Sequence, residues 1–344
     1  MKVIRMGLIG CGRISGKHFE AVENLEEARF VTCADIIPER AAAAAETYNL
    51  DSYYSDYTEM LDKEKLDLAV ICTPSSLHPE VGIETARRGI NVLTEKPMGV
   101  DLQSADRLIQ ICDQNEVHLF VVKQNRLNPT MQLLKRATEK NRFGKIYLVQ
   151  SNVFWQRPQS YYDLASWRGT WKYDGGAFLN QASHYVDGLY WLIGDVKSVM
   201  AETATMARNI ETEDTGTAIL RFINGTIGTI NVTMLTFPKN YEGSVTILGE
   251  KGTVKVGGIA LNKVEKWEFE DYDDDDRLLE EVNYQPLTVY GSGHLPYYHN
   301  IIEAMNGKNS PHTNGRDGRK SLEIILAFYE SARTGKKIDL PLSN

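Results

Sequence analysis

The sequence is poor in cysteine and has no long apolar run, and each lack excludes something. Only 4 of its 344 residues are cysteine: Cys11, Cys33, Cys72 and Cys112. They stand singly, at no metal-ligand spacing, and all in the first third of the chain. A disulfide framework is thereby excluded, and no metal ion is expected. The thiols read as small hydrophobes of a reducing compartment. No stretch approaches the roughly 20 apolar residues that a bilayer span requires. The N-terminus runs from a basic residue directly into a short strand, without the apolar core of a cleavable signal. The expected location is the cytoplasm. An excess of positive charge is also missing. The 38 Lys and Arg against 46 Asp and Glu leave a formal net charge of -8. That argues against nucleic-acid or anionic-membrane partners, while leaving room for a local basic pocket.

What is present suffices for two ordinary domains, at 42% hydrophobic and 24% charged residues. The first is expected over residues 1–122 and the second over 123–344. The first reads as alternating short apolar strands and helices, the pattern of a doubly wound parallel sheet. Its opening strand, Ile4 to Ile9, ends in Gly10-Cys11-Gly12-Arg13-Ile14-Ser15. This is the dinucleotide fingerprint G-x-G-x-x-G with Ser15 in the third glycine's place. The first glycine permits a tight turn, and the second lets a pyrophosphate reach the backbone at the next helix N-terminus. The second strand ends in Asp35, where a carboxylate binds both ribose hydroxyls of NAD. Ile36 follows, with no basic or hydroxyl residue to receive an extra phosphate, so NAD is expected over NADP; Arg40 is the one nearby cation. Ligands in such sheets bind at the carboxyl ends of strands. That edge also carries Thr73-Pro74-Ser75, with His78 behind it, and Glu95-Lys96-Pro97. An ammonium there, as on Lys96, can stabilise the alkoxide that builds up as hydride leaves.

The second domain mixes helices with a strand-rich half. Strands are expected at 214–222, 227–236 and 244–248, with Asn224-Gly225 as a hairpin turn. A largely antiparallel open sheet follows, one face on helices and the other on a second subunit, as dimer or tetramer. Asp273 to Asp276 reads as a solvated acidic loop. The chemistry is placed on Gly175-Gly176-Ala177-Phe178-Leu179-Asn180-Gln181-Ala182-Ser183-His184-Tyr185-Val186-Asp187. There Asn180, His184 and Asp187 recur at helical spacing, a polar stripe on an apolar helix. Arg157, Tyr161, Tyr162 and Lys172 are candidates to hold an anion or stack on a base.

The fingerprint, Glu95-Lys96-Pro97, Trp167-Arg168-Gly169, the Gly175 to Asp187 stretch and Gly249-Glu250-Lys251-Gly252 occur in this order. As a set they resemble the Gfo/Idh/MocA family of nicotinamide-dependent sugar and polyol dehydrogenases. The resemblance implies a Rossmann domain followed by an α+β domain with an open sheet that forms the subunit interface. It implies Lys96 and His184 as the catalytic pair. It further implies that Thr73 to Ser75, His78, Glu95, Lys96 and Gln124 line the cofactor, with Trp167 and Arg168 reaching it from the second domain. Asn180 stands where the family usually has Asp, and Ala182 where it has Gly. Asn-Gln-Ala-Ser-His-Tyr-Val-Asp looks like a branch that oxidises UDP-N-acetyl-2-amino-2-deoxy-glucuronate to its 3-keto sugar, for surface polysaccharides. Lys96, Arg157, Tyr161, Asn180, Ser183 and His184 are then the expected substrate contacts. Asn keeps hydrogen-bonding capacity without a charge that would repel an anionic sugar. A neutral-polyol dehydrogenase, or a regulator that binds NAD without catalysis, are the alternatives.

Overall fold

The computed structural model describes residues 3–285 and 291–342. The chain forms two compact units, one of residues 1–122 with 294–319, the other of 123–293 with 320–344.

The first unit holds six strands: β1 (Ile4–Ile9), β2 (Ala28–Ala34), β3 (Ser52–Tyr54), β4 (Leu68–Ile71), β5 (Asn91–Thr94) and β6 (Leu119–Val121). They lie in the order β3-β2-β1-β4-β5-β6, every pair parallel. The order reverses between β1 and β4, which makes their carboxyl ends the ligand crevice. Strand β4 is buried along its whole length, as a sheet covered on both faces requires. The helices are α1 (Ser15–Val22), α2 (Pro38–Thr47), α3 (Tyr57–Lys63), α4 (His78–Ala86) and α5 (Leu102–Gln114). Strand β3 and helix α3 were not expected. Both are short, but α3 carries a readable start: the Asp56 carboxylate accepts the Thr58 N–H at 2.8 Å.

The second unit begins with α6 (Pro129–Glu139), β7 (Ile146–Phe154), α7 (Gln159–Tyr162) and α8 (Ser183–Ile193). Strands β8 (Val196–Ala204), β9 (Thr215–Phe222), β10 (Ile227–Thr233), β11 (Glu242–Gly249), β12 (Gly252–Gly257) and β13 (Lys263–Phe269) follow. After α9 (His294–Met305) and α10 (Gly315–Thr334), β14 (Ile338–Asp339) closes an eight-stranded sheet ordered β13-β12-β11-β7-β10-β9-β8-β14. Among the described strands of this sheet, β7 and β10 alone pair in parallel. Strict alternation along β9 and β10 buries Leu220, Ile230 and Val232 on the face that carries α8 and α6. The opposite face is more polar than expected. Thr217 bonds Asn231, Asn231 bonds Asn152, and Glu242 accepts from Asn152 and pairs with Lys255. Tyr147, Met200 and Ile219 stand exposed beside this ladder.

Two expectations need correction. A single cut after residue 122 is incomplete, because α9 belongs with the first unit. Tyr297 of α9 is buried and its hydroxyl donates to the Val121 carbonyl at 2.7 Å. Asp273 to Asp276 is not wholly a solvated loop: Asp274 is exposed, but Asp275 and Asp276 are held by the protein. Asp275 accepts from Arg136 at 3.1 Å, and Asp276 accepts from Arg142 at 2.5 Å and from the Trp267 indole at 2.7 Å. Against the effect of burial, Lys140 and Arg136 hold the Asp275 carboxyl, and Arg142 that of Asp276, below the ordinary range.

Candidate active site

The glycine turn leaves β1 with Gly10 at a φ of 96°. A side chain there would meet the Cys72 carbonyl carbon and oxygen at 2.8 Å, so only glycine fits. No atom of the described residues lies within 4 Å of where a Gly12 side chain would stand, and the backbone is open on that side. Ser15 donates to the Gly12 carbonyl at 2.6 Å and so ties the turn to α1. Asp35, at the end of β2, accepts the Cys11 N–H at 2.8 Å on one oxygen and the Ile37 N–H at 2.9 Å on the other. Each oxygen keeps a second lone pair for a hydroxyl. Ile36 and Arg40 are exposed beyond it, as is Arg13, while Ile14 is half-buried. Past β4, the buried Thr73 hydroxyl has no hydrogen-bond partner among the described residues, and Ser75 is buried just after Pro74. An open glycine turn, a carboxylate on the neighbouring strand and an orphaned hydroxyl at the switch point fit a dinucleotide.

Two residues expected to line the cofactor have polar atoms bonded within the protein. His78 faces the Pro97 carbonyl at 2.7 Å with Nδ1 and the Thr73 carbonyl at 2.8 Å with Nε2. Burial lowers its pKa below the usual histidine range. It braces the loop after β5 against the loop after β4. Glu95 is buried, and its carboxylate takes His18 Nε2 at 3.0 Å and the Lys96 N–H at 3.0 Å. Burial opposes its ionisation, but the bond to His18 and the charge of Lys96 outweigh that and bring it to about 2. Lys96 itself is half-buried, and the Lys96–Pro97 bond is cis. His18, Glu95 and His294 bring three ligand-type atoms within 4.8 Å of one another. A cation there would have to break the His18–Glu95 bond and face the Lys96 charge, so the cluster reads better as a hydrogen-bonded group than as a metal centre.

In the second unit the expected stripe is not carried by one continuous helix. Ala177–Gln181 is a single π turn, and α8 starts only at Ser183. Asn180 thus sits in the π turn and His184 in α8, so the two do not share one regular helix. Its amide donates to Asp174, which is buried. The negative charge that Asn180 lacks is thus supplied by its neighbour, and the electrostatic case for Asn180 as a reader of substrate charge is weakened. His184 is half-buried on the first turn of α8, and the Ser183 hydroxyl beside it is buried without a partner among the described residues. Asp187, also in α8, is engaged by cations. It is 1% exposed and takes Arg126 in a two-point bond, both contacts 2.8 Å, with Lys123 at 3.8 Å.

A basic aromatic group gathers near Asn180. The Arg157 and Arg168 guanidinium groups lie 5.4 Å and 4.4 Å from the centre of the Tyr161 ring, and Arg168 also lies 4.8 Å from that of Trp167. Gln181 ties this group together: it accepts from Arg157 at 3.1 Å and donates to Tyr161 at 3.1 Å and Asn180 at 2.6 Å. Lys172 is exposed beside Tyr173, while the buried Tyr162 joins the group, its ring edge-on to that of Tyr161 at 5.2 Å. Gln124 is buried with its side-chain oxygen unpartnered among the described residues.

Sequence reading missed Glu213 and Tyr329. Glu213 accepts the Phe178 N–H at 2.8 Å and the Tyr329 hydroxyl at 3.0 Å, and Tyr329 accepts the Gly176 and Leu179 N–H groups. Together they satisfy the donors that open the π turn. A side chain on Gly176 would collide with the Glu213 carboxylate, which explains that glycine. Burial pushes the Glu213 carboxyl up to about 7. Nothing local in the sequence marks these two, since the contacts span 35 and 150 positions or more.

Residues 4–123 match the NAD-binding Rossmann fold of the oxidoreductase family, and residues 135–340 match its C-terminal alpha/beta domain. Myo-inositol 2-dehydrogenase of Thermotoga maritima is 24% identical, over 98% of both chains. The WlbA dehydrogenase of Bordetella pertussis, solved with NADH and UDP-GlcNAcA, is 51% identical with a TM-score of 0.96, over 99% of both chains. The Chromobacterium violaceum WlbA dehydrogenase, solved with the same two molecules, is 49% identical with a TM-score of 0.95, over 100% of this chain and 98% of that one. On these matches, and on a fold with a glycine turn, Asp35 and an open second sheet, the chain belongs to the Gfo/Idh/MocA oxidoreductase family.

Proposed function

We propose that this protein is an NAD-dependent dehydrogenase that oxidises the C3 hydroxyl of UDP-N-acetyl-2-amino-2-deoxy-glucuronate to the 3-keto sugar. The observation that carries this reading is the 51% likeness, along 99% of the chain, to a dehydrogenase crystallised with NADH and UDP-GlcNAcA. The paired guanidinium groups on Tyr161 support an anionic substrate with a stacking base. In this reading the glycine turn and Asp35 bind the dinucleotide, and Thr73 supplies a further hydroxyl. Bound NAD provides the hydride acceptor. His184 takes the hydroxyl proton as general base, and Lys96 places positive charge on the developing oxyanion. Arg157, Tyr161, Asn180 and Ser183 hold the sugar nucleotide, while Gln124, Trp167 and Arg168 contact the cofactor. The product would serve surface-polysaccharide synthesis in the cytoplasm, and the protein would self-associate through the second sheet as a dimer or tetramer. No described helix is long and apolar enough to cross a membrane.

The experiment is incubation of the protein and its His184→Asn variant with NAD and the UDP-sugar. NADH absorbance and loss of two hydrogens by mass are the readouts. Turnover is expected in the parent, with a fall of about 10²–10⁴-fold in the variant and little change in cofactor affinity. Near-normal turnover by the variant removes His184 as the base. The 24% identity to a myo-inositol dehydrogenase favours one second reading, a neutral polyol substrate, and turnover of inositol but not the uronate would establish it. Absence of turnover with either, alongside NAD binding, would point to a regulator.

A further inference from the structure

We propose that His18 is a positioning residue for the oxidation: from the helix behind the glycine turn it holds Glu95, and Glu95 fixes the backbone of Lys96. This rests on the role given to Lys96 above.

His18 is 0% exposed and lies three residues past Ser15 on α1. Both its ring nitrogens are engaged, Nδ1 with the Tyr298 hydroxyl at 2.8 Å and Nε2 with Glu95 Oε1 at 3.0 Å. The second oxygen of Glu95 accepts the Lys96 N–H at 3.0 Å. The connected path is therefore Tyr298 on α9, His18 on α1, Glu95 at the end of β5, and the Lys96 amide. The bonding is self-consistent. Tyr298 donates to Nδ1, Nε2–H donates to the carboxylate, and the carboxylate accepts at both ends. The other polar groups around Glu95 do not replace His18. His294 meets the His18 ring edge-on at 5.6 Å, and its own Nε2 is buried without a partner among the described residues. Burial, and to a lesser degree the charge of Glu95, keep Cys72 and Tyr298 in their neutral forms, so neither puts a charge beside the carboxylate.

Stability alone does not account for this arrangement. A buried carboxylate and imidazole cost desolvation, and well-packed apolar side chains of similar volume are commonly as stable or more so. What the polar chain delivers is a fixed carboxylate, which a hydrophobic core could not place on the Lys96 amide. The helix that begins at the dinucleotide turn and the lysine after β5 are thereby held in one frame. A positioned group misplaced by about 1 Å can lose about 10²-fold in rate.

The test compares His18→Phe, which fills the volume without a nitrogen, with His18→Gln, whose terminal N–H can still reach Glu95. Lys96→Met is the control. The expected result for His18→Phe is a fall in kcat of about 10–100-fold, with KM for NAD held within about threefold because the glycine turn and Asp35 are untouched. His18→Gln is expected to recover most of that kcat. If His18→Phe does not fold, His18→Gln beside Glu95→Gln makes the same comparison: the first stays close to the parent and the second falls. Inactive Lys96→Met together with normal kcat in His18→Phe, or in Glu95→Gln, overturns the positioning role and leaves the Lys96 reading standing. Near-normal turnover in Lys96→Met removes the Lys96 reading and this proposal with it. Equal losses in both His18 variants that track a drop in melting temperature reduce His18 to packing and overturn the proposal. So does stoichiometric metal in the purified protein that His18→Phe removes, since the cluster would then be a metal site.

Discussion

Asp187 offers the sharpest test of what the fold did to the expected catalytic stripe. If it shared a face with His184 and served the chemistry, Asp187→Asn would lower turnover in the folded protein by about 10² or more. The structure points elsewhere. Asp187 is 1% exposed and takes both Arg126 contacts at 2.8 Å, with the Lys123 ammonium 3.8 Å away and itself bonded to Ser321 at 2.8 Å. Asparagine keeps one acceptor oxygen and no charge, so two buried cations lose an anion that both lie close to. At an effective dielectric near 20, a pair of unit charges about 4 Å apart is worth about 4 kcal/mol. Breaking a buried pair from one side typically costs about 3–5 kcal/mol. The expected loss for Asp187→Asn is therefore about 4 kcal/mol of stability in the second unit. Urea unfolding followed by tryptophan fluorescence suits the question, because Trp191 lies 5.6 Å from the Arg126 guanidinium and 5.3 Å from the Lys135 ammonium. Removing the pair together, as Asp187→Leu with Arg126→Met, should recover much of the loss, since less charge is left uncompensated. A stability change below about 1 kcal/mol, or a turnover loss in fully folded Asp187→Asn, would refute this reasoning.

Two further outcomes follow from the geometry. Asp35→Asn is expected to raise KM for NAD by about 10–100-fold, from the loss of charge-assisted bonds worth about 1.5–3 kcal/mol, and to narrow the preference over NADP; steady-state kinetics with both cofactors checks it, and an unchanged KM would leave Asp35 only its turn-closing bonds. Glu213 is held near 7 by burial, above its unfolded value of 4.5, so the folded state binds the extra proton. Its contribution to stability is full below pH 4.5 and is lost as pH rises through 7, by about 3 kcal/mol at most. Melting temperatures across that window should fall in the parent and stay flatter in Glu213→Gln; parallel curves would show that Glu213 does not titrate there.

Local sequence was a good guide wherever the controlling interactions are short. The glycine turn, Asp35 at the end of β2, the alternation that builds the parallel sheet and the Asn224-Gly225 hairpin all depend on neighbours in sequence. The structure follows them closely. Short elements such as β3 were missed because three residues, none of them buried, carry too little pattern. The candidate site was legible only in part. Gly175 to Asp187 was found as a place of polar residues in an apolar run, but its phase was not, since the π turn is held by Glu213 and Tyr329 from distant positions.

Composition and order of motifs by themselves determined the class of this protein: a two-part α/β chain with a dinucleotide turn and a lysine on the ligand edge. Those features are written in backbone requirements and periodicity, which neighbouring residues satisfy alone. Tertiary structure alone decided which polar residues face a ligand and which face the protein. It turned Glu95 toward His18, His78 toward two carbonyls, Asp187 toward Arg126 and Asn180 toward Asp174. The physical reason is that a buried polar group takes whatever partner the folded chain brings to it, and these partners come from loops and helices that sequence spacing does not place.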